Sequence, residues 1–189
     1  MKKLPPKIIL IGMKYAGKTT LGKPLAQQLN LPFIDLDRVI EADYATLYGY
    51  HKTCRQIWNS DGEENFRWLE EEALEQICTH QGLSSFLLAT GGGAILSEKN
   101  RQLLKRPQHL ILYLQISEQQ LLTNFLQAEK KDISEPLPSF LSSKQDPQLL
   151  LRELLQQRHP LYTSLANLIV KNEGSLQESV EKIASQLTL

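Results

Sequence analysis

Residues 12–20 read Gly-Met-Lys-Tyr-Ala-Gly-Lys-Thr-Thr and fit the pattern G-x-x-x-x-G-K-[ST], with Gly12, Gly17, Lys18 and Thr19 in place. The chemistry such a stretch can do is to cradle phosphate. Gly12 and Gly17 let the backbone turn where a Cβ would clash. The turned amides, together with the N-terminus of a following helix, then point N–H groups at phosphate oxygens. Lys18 adds a full charge near the β- and γ-phosphates, and the Thr19 hydroxyl can ligate Mg²⁺. Lys18 is read here as a solvent-facing charge. A second pair of chemical groups is Asp35 and Asp37 in Phe-Ile-Asp-Leu-Asp. Two carboxylates at i and i+2 leave a strand end on the same side. One can hold Mg²⁺, and the other can accept a hydrogen bond from an acceptor hydroxyl and take its proton. The structural alternative is that Asp37 caps a helix beginning near Arg38; capping by Asp37 leaves Asp35 unexplained.

Three further groups stand out. Arg67 and Glu70 lie at i and i+3 on one helix face, which in isolation describes an ordinary surface pair. Gly91-Gly92-Gly93 follows an apolar run directly, and three glycines at a strand end mean close backbone approach or unusual φ/ψ. Arg158 precedes His159 and Pro160, the latter read as interrupting a helix.

These residues need a scaffold, and the chain supplies its signals in alternation. Lys7–Ile11 reads as a buried strand ahead of the phosphate loop, and Leu21, Leu25 and Leu29 recur at helical spacing after it. Further strands are expected at 31–35, 85–90, 109–114 and 167–170. Helical stretches separate them, including a charged one from about 62 to 81 and a last one from about 175 to 187. Alternating β and α units imply an α/β fold with a parallel sheet and helices on both faces, binding ligands at the carboxyl ends of the strands. The segment from about 128 to 147, rich in Pro and Ser, is read as a lid.

The bulk numbers limit the alternatives. With 189 residues one domain is the default. Lys plus Arg and Asp plus Glu are both 21, so no charge excess points to a nucleic acid or an acidic membrane. Cys54 and Cys78 form neither a CxxC nor a disulfide framework, four scattered histidines complete no metal-ligand spacing, and a reducing cytosol is expected. No stretch approaches the ~18 apolar residues of a membrane span.

Taken together, Gly12–Thr20, Asp35-Leu36-Asp37, Gly62-Glu63 with Phe66-Arg67 and Glu70, the glycine triplet and Arg158-His159-Pro160-Leu161-Tyr162 resemble shikimate kinase, in that family's order and near its spacing. The resemblance covers nearly the whole chain. It implies a P-loop nucleoside-monophosphate-kinase-like three-layer fold with a central five-stranded parallel sheet and a lid. It implies transfer of the ATP γ-phosphate to the 3-hydroxyl of shikimate, a step of aromatic amino-acid biosynthesis, in the cytoplasm. A monomer is expected, with ATP and shikimate as its small-molecule partners and neither nucleic acid nor membrane. Carried over by position, Gly12, Tyr15, Ala16, Gly17, Lys18, Thr19 and Thr20 bind ATP, and Thr19 and Asp35 serve Mg²⁺. Asp37 binds shikimate hydroxyls and is the base. Arg67 and Arg158 grip the shikimate carboxylate, Gly92 and Gly93 offer amides to the ring, and Glu70 holds Arg67.

The chain departs from the family pattern at three places. Lys14, Tyr15 and Ala16 stand where the family often has smaller residues and an extra glycine. The stretch from Gly49 to Trp58 is about two residues longer than usual for the family. In the lid, Glu135 precedes Pro136-Leu137 where the family has arginine, and a second arginine is replaced near Thr123 or Asn124. Lys130, Lys131 and Lys144 are the expected substitute cations. The rival readings are a kinase of another small polyol acid such as gluconate, and a relative that binds ligands but catalyses weakly.

Overall fold

β1 (Lys7–Ile11) is buried along its whole length. A continuously buried run rich in isoleucine suits a strand covered on both faces. It lies at the centre of a five-stranded parallel sheet of order β2-β3-β1-β4-β5, the others being β2 (Phe33–Asp35), β3 (Phe86–Ala89), β4 (His109–Gln115) and β5 (Leu168–Lys171). The computed structural model describes residues 7–131, 146–172 and 175–188. Seven α-helices lie among them: α1 (Lys18–Gln28), α2 (Leu36–Tyr48), α3 (Cys54–Thr79), α4 (Glu98–Leu104), α5 (Glu118–Lys131), α6 (Pro147–Leu165) and α7 (Leu176–Thr188).

Side chains alternate across the sheet and so divide the core in two. Ile9, Ile11, Leu88, Ile111 and Tyr113 pack with residues of α2, α3, α5 and α6. Ile8, Leu10, Leu87 and Leu112 pack with α1 and α7. Burying each such side chain contributes about 1.5–3 kcal/mol, which anchors the strands whose ends carry the polar residues.

Three local features differ from the sequence reading. The charged helix begins earlier, at Cys54, where Thr53 and Gln56 form a capping box; Gly62 at φ +86° then breaks it, so the stretch carrying Arg67 and Glu70 starts at the expected glycine. Pro160 does not end α6, which continues to Leu165. Buried Tyr162 and Leu165 hold its last turn against the core, and this anchoring outweighs the proline's missing N–H. The helix cap near the paired carboxylates belongs to Asp35 and not to Asp37. α2 starts at Leu36, directly after β2, and the Asp35 side chain accepts from the Asp37 backbone N–H. Among the described residues, no helix is long and apolar enough to cross a membrane.

Candidate active site

Strand pairing brings the chemical groups together. Leu10 pairs with Ala89, and Asp35 pairs with Ala89 from the other side. The loop after β1, the residues after β3 and the end of β2 therefore emerge side by side at one edge of the sheet. A cavity of about 390 Å³ opens there, lined by Lys18, Thr19, Asp35, Asp37, Arg67, Gly91, Gly92, Gly93 and Arg158. Tyr15, Gly17 and Thr20 also line it; Gly12 and Ala16 are buried in the loop behind.

The phosphate loop is held by its own carbonyls. Gly12 has φ +146°, and a Cβ there would stand 2.7 Å from the Leu114 carbonyl oxygen of β4. The Lys18 ammonium donates to the Gly12 and Met13 carbonyls at 2.9 and 2.7 Å. Lys18 is thus buried and not solvent-facing, because the loop wraps round its side chain. Burial lowers its pKa to about 8, against the raising influence of Asp37 and Asp35. Asn172 at the end of β5 donates to the Ala16 carbonyl, and Asn124 of α5 donates to the Tyr15 carbonyl. Tyr15 has φ +67°, and its hydroxyl donates to Glu129, which also pairs with Arg55 at 2.7 Å. Asn124, at one of the positions where the family's second arginine was expected to be replaced, therefore braces the loop.

Thr19 donates to Asp35 at 2.8 Å through Oγ1. Asp37 has no capping duty and faces the cavity. Burial and the neighbouring Asp35 carboxylate push its pKa up, and Lys18 and Lys14 pull it back. A carboxylate raised in this way is suited to general-base work nearer neutrality.

On the opposite wall Arg67 donates to Glu70 at 2.6 Å, and its guanidinium stands 5.0 Å from the Trp58 ring centroid. Arg67 is 19% exposed and Glu70 only 1%, so the pair is not an ordinary surface one: the carboxylate is buried and the guanidinium half-buried. Burial pushes the Glu70 carboxyl up to about 7 although Arg67 pulls it down. The glycine triplet explains itself here. A Cβ on Gly91 would meet Glu70 Oε1 at 2.7 Å, one on Gly92 the Lys14 backbone nitrogen at 2.5 Å, and one on Gly93 the Arg67 guanidinium. The Tyr162 hydroxyl donates to the Gly92 carbonyl and stacks on Tyr113, tying α6, and with it Arg158, to the triplet.

The sequence reading missed Trp58, Arg55 and Glu129, and noted Lys14 only as a departure. The Arg55–Glu129 pair joins α3 to α5, and the stacking of Arg67 on Trp58 reaches across the break at Gly62, so neither follows from helical spacing. Lys130 is exposed at the end of α5. Glu135, Pro136, Leu137 and Lys144 lie outside the described residues, as does the Lys131 side chain, and so the proposed lid between 128 and 147 does also, except for its ends. No group of three or more His, Cys, Asp or Glu side chains that could hold a metal occurs among the described residues.

A phosphate loop facing a carboxylate, an arginine pair and a glycine-lined wall, on the edge of a five-stranded parallel sheet, is the architecture of a small-molecule kinase with the P-loop nucleoside-monophosphate-kinase-like fold. The family model of shikimate kinase matches residues 15–188. The chain is 36% identical over 185 residues to a shikimate kinase from Thioalkalivibrio sulfidiphilus, covering 96% of this chain and 84% of that one. It is 35% identical over 187 residues to one from Rhodococcus jostii, covering 96% and 99%. A solved shikimate kinase from Acinetobacter baumannii, in complex with shikimate, superposes with a TM-score of 0.81 at 30% identity, over 97% of this chain and 93% of that one. The chain belongs to the shikimate kinase family, a family of kinases that use ATP as a substrate.

Proposed function

We propose that this protein transfers the γ-phosphoryl group of ATP to the 3-hydroxyl of shikimate, giving shikimate 3-phosphate and ADP in aromatic amino-acid biosynthesis. The observation that carries this reading is the acceptor wall. A guanidinium clamped by a buried carboxylate, packed against Gly93 and facing Asp37, suits a small anion that is also a polyol. Arg67 and Arg158 bind the acceptor carboxylate, and Gly92 and Gly93 offer backbone amides to the ring. Asp37 orients the acceptor hydroxyl and takes its proton. As the acceptor oxygen forms its bond to the γ-phosphorus, the bond to the β,γ-bridging oxygen breaks and the electron pair leaves with ADP. The N–H groups of the loop from Gly12 through Tyr15, Ala16 and Gly17 to Thr20, with the Lys18 ammonium, hold the phosphates in line.

Thr19 and Asp35 fit Mg²⁺. They offer hard oxygen donors 2.8 Å apart at the loop, and such a site with few protein ligands suits an ion that keeps waters and phosphate oxygens as its remaining ligands. Bound there, the ion supplies charge neutralisation of the β- and γ-oxygens. We take the chain as one domain, 1–189, with the segment 128–147 as its lid, acting as a monomer in the cytoplasm. Two free thiols, Cys54 and Cys78, agree with a reducing compartment.

A coupled ADP-release assay with shikimate, with gluconate and without acceptor tests the reading. ADP release that requires shikimate supports it. Release driven equally by gluconate, or independent of acceptor, overturns it.

A further inference from the structure

Lys14 stands where the phosphate loop touches the acceptor wall. Its backbone nitrogen is so close to Gly92 that a Cβ there would come within 2.5 Å. Its side chain lines the same cavity as Lys18, Asp37, Arg67 and Arg158. The ammonium lies 5.4 Å from the Tyr15 ring centroid and has no hydrogen-bond or ion-pair partner among the described residues. Two carboxylates act on it, Asp37 and Glu129. Glu129 is already taken by Arg55 and the Tyr15 hydroxyl, so that carboxylate is not free to neutralise it. Lys14 is thus a half-buried cation whose ammonium meets the Tyr15 ring but no carboxylate of its own, on the seam between donor loop and acceptor wall.

Resting on the function proposed above, we propose that Lys14 is a further phosphoryl-binding cation of this site, meeting the γ-phosphoryl group as it reaches the acceptor oxygen and holding it in the phosphorylated product. The bonds made and broken are those already given, and the proton still goes to Asp37; Lys14 donates hydrogen bonds to the non-bridging oxygens and is not itself consumed. Burial lowers the pKa of Lys14 while Asp37 and Glu129 raise it, and an arriving phosphate dianion stabilises its charged form in the same way. The role is one that the family's lid arginines would otherwise fill; in this sequence Glu135 stands in place of one, and the other is replaced near Thr123 or Asn124.

The test is calorimetric titration of wild type, Lys14→Met, Lys14→Gln and Lys14→Arg with three ligands: shikimate 3-phosphate, shikimate and ADP. Loss of a hydrogen bond to a charged group should weaken the phosphorylated product by about 10–100-fold in the Met and Gln variants. Shikimate and ADP affinities should stay near those of wild type, and Lys14→Arg should recover most of the loss. Unchanged ADP binding also shows that the variants are folded. Equal weakening of shikimate and its 3-phosphate, or no weakening of either, overturns the role of Lys14 while leaving the proposed function standing. A wild-type protein that binds neither shikimate nor its phosphate overturns the proposed function and this inference with it.

Discussion

The acceptor wall and the phosphate loop are built by opposite means. The wall is made by close approach: Gly91 and Gly93 leave room for Glu70 and Arg67, and Gly92 leaves room for the phosphate loop itself. Its arginine is clamped by Glu70. The loop is made by capture of its carbonyls, which are taken by Lys18, Asn124 and Asn172 from three separate elements. Steric fit of this kind tolerates almost no substitution. Carbonyl capture fixes the path of the backbone through main-chain groups, so it does not itself dictate the side chains carried at Lys14 and Tyr15.

The sharpest contrast lies within Asp35-Leu36-Asp37. Asp37→Asn should lower kcat by about 10²–10⁴-fold, the range for loss of general-base catalysis. Melting of that variant should stay close to wild type, since Asp37 caps nothing. Asp35→Ala should instead destabilise the fold by about 1 kcal/mol through loss of the cap on α2. A catalytically competent Asp37→Asn protein with a lowered melting temperature would reverse these assignments.

On the loop side, Lys18→Met should reduce kcat by about 10²–10³-fold, as for loss of one preorganised donor to transition-state charge. The pKa of about 8 makes a pH prediction. As pH rises through 8, Lys18 in the free enzyme loses its charge, so kcat/KM for ATP should fall. Between 8 and the ordinary 10.5 the unfolded chain holds the proton that the folded one has lost, so Lys18 makes stability rise with pH over that window. Chemical denaturation across it should show the rise in wild type and not in Lys18→Met. A rise that persists in the variant would place the titration elsewhere.

The acceptor arginines give a smaller and more selective effect. Arg67→Lys and Arg158→Lys should each raise KM for shikimate by about 10–100-fold, because an ammonium cannot make the two parallel hydrogen bonds of a guanidinium. KM for ATP should change little. Equal losses for both substrates would mean that the two walls are not independent.

Much of this was legible in the chain, for identifiable reasons. The five strands are short apolar runs bounded by polar residues, so their order of occurrence and approximate limits follow from pattern alone. Arg67 with Glu70 and the glycine triplet were visible as spacing, but their meaning depends on contact between α3 and the residues after β3, which local sequence does not encode. Capping by Asp37 was the structural alternative for a helix beginning near Arg38; α2 instead starts at Leu36, directly after β2, so the cap falls on Asp35. Lys18 looked solvent-facing because lysine usually is, and only the folded loop brings two carbonyls to its ammonium. The link from Tyr15 to Glu129 spans |i−j| = 114 and has no periodicity to reveal it.

The most direct test is phosphorus NMR of the purified protein with ATP, Mg²⁺ and shikimate. It distinguishes transfer to the acceptor from loss of phosphate to water, which ADP release alone does not. The account predicts that the γ-phosphorus signal is replaced one for one by that of a phosphate monoester on the shikimate 3-oxygen, with inorganic phosphate remaining at its background level. Unchanged ATP, or ATP converted to ADP and inorganic phosphate with shikimate intact, would contradict it.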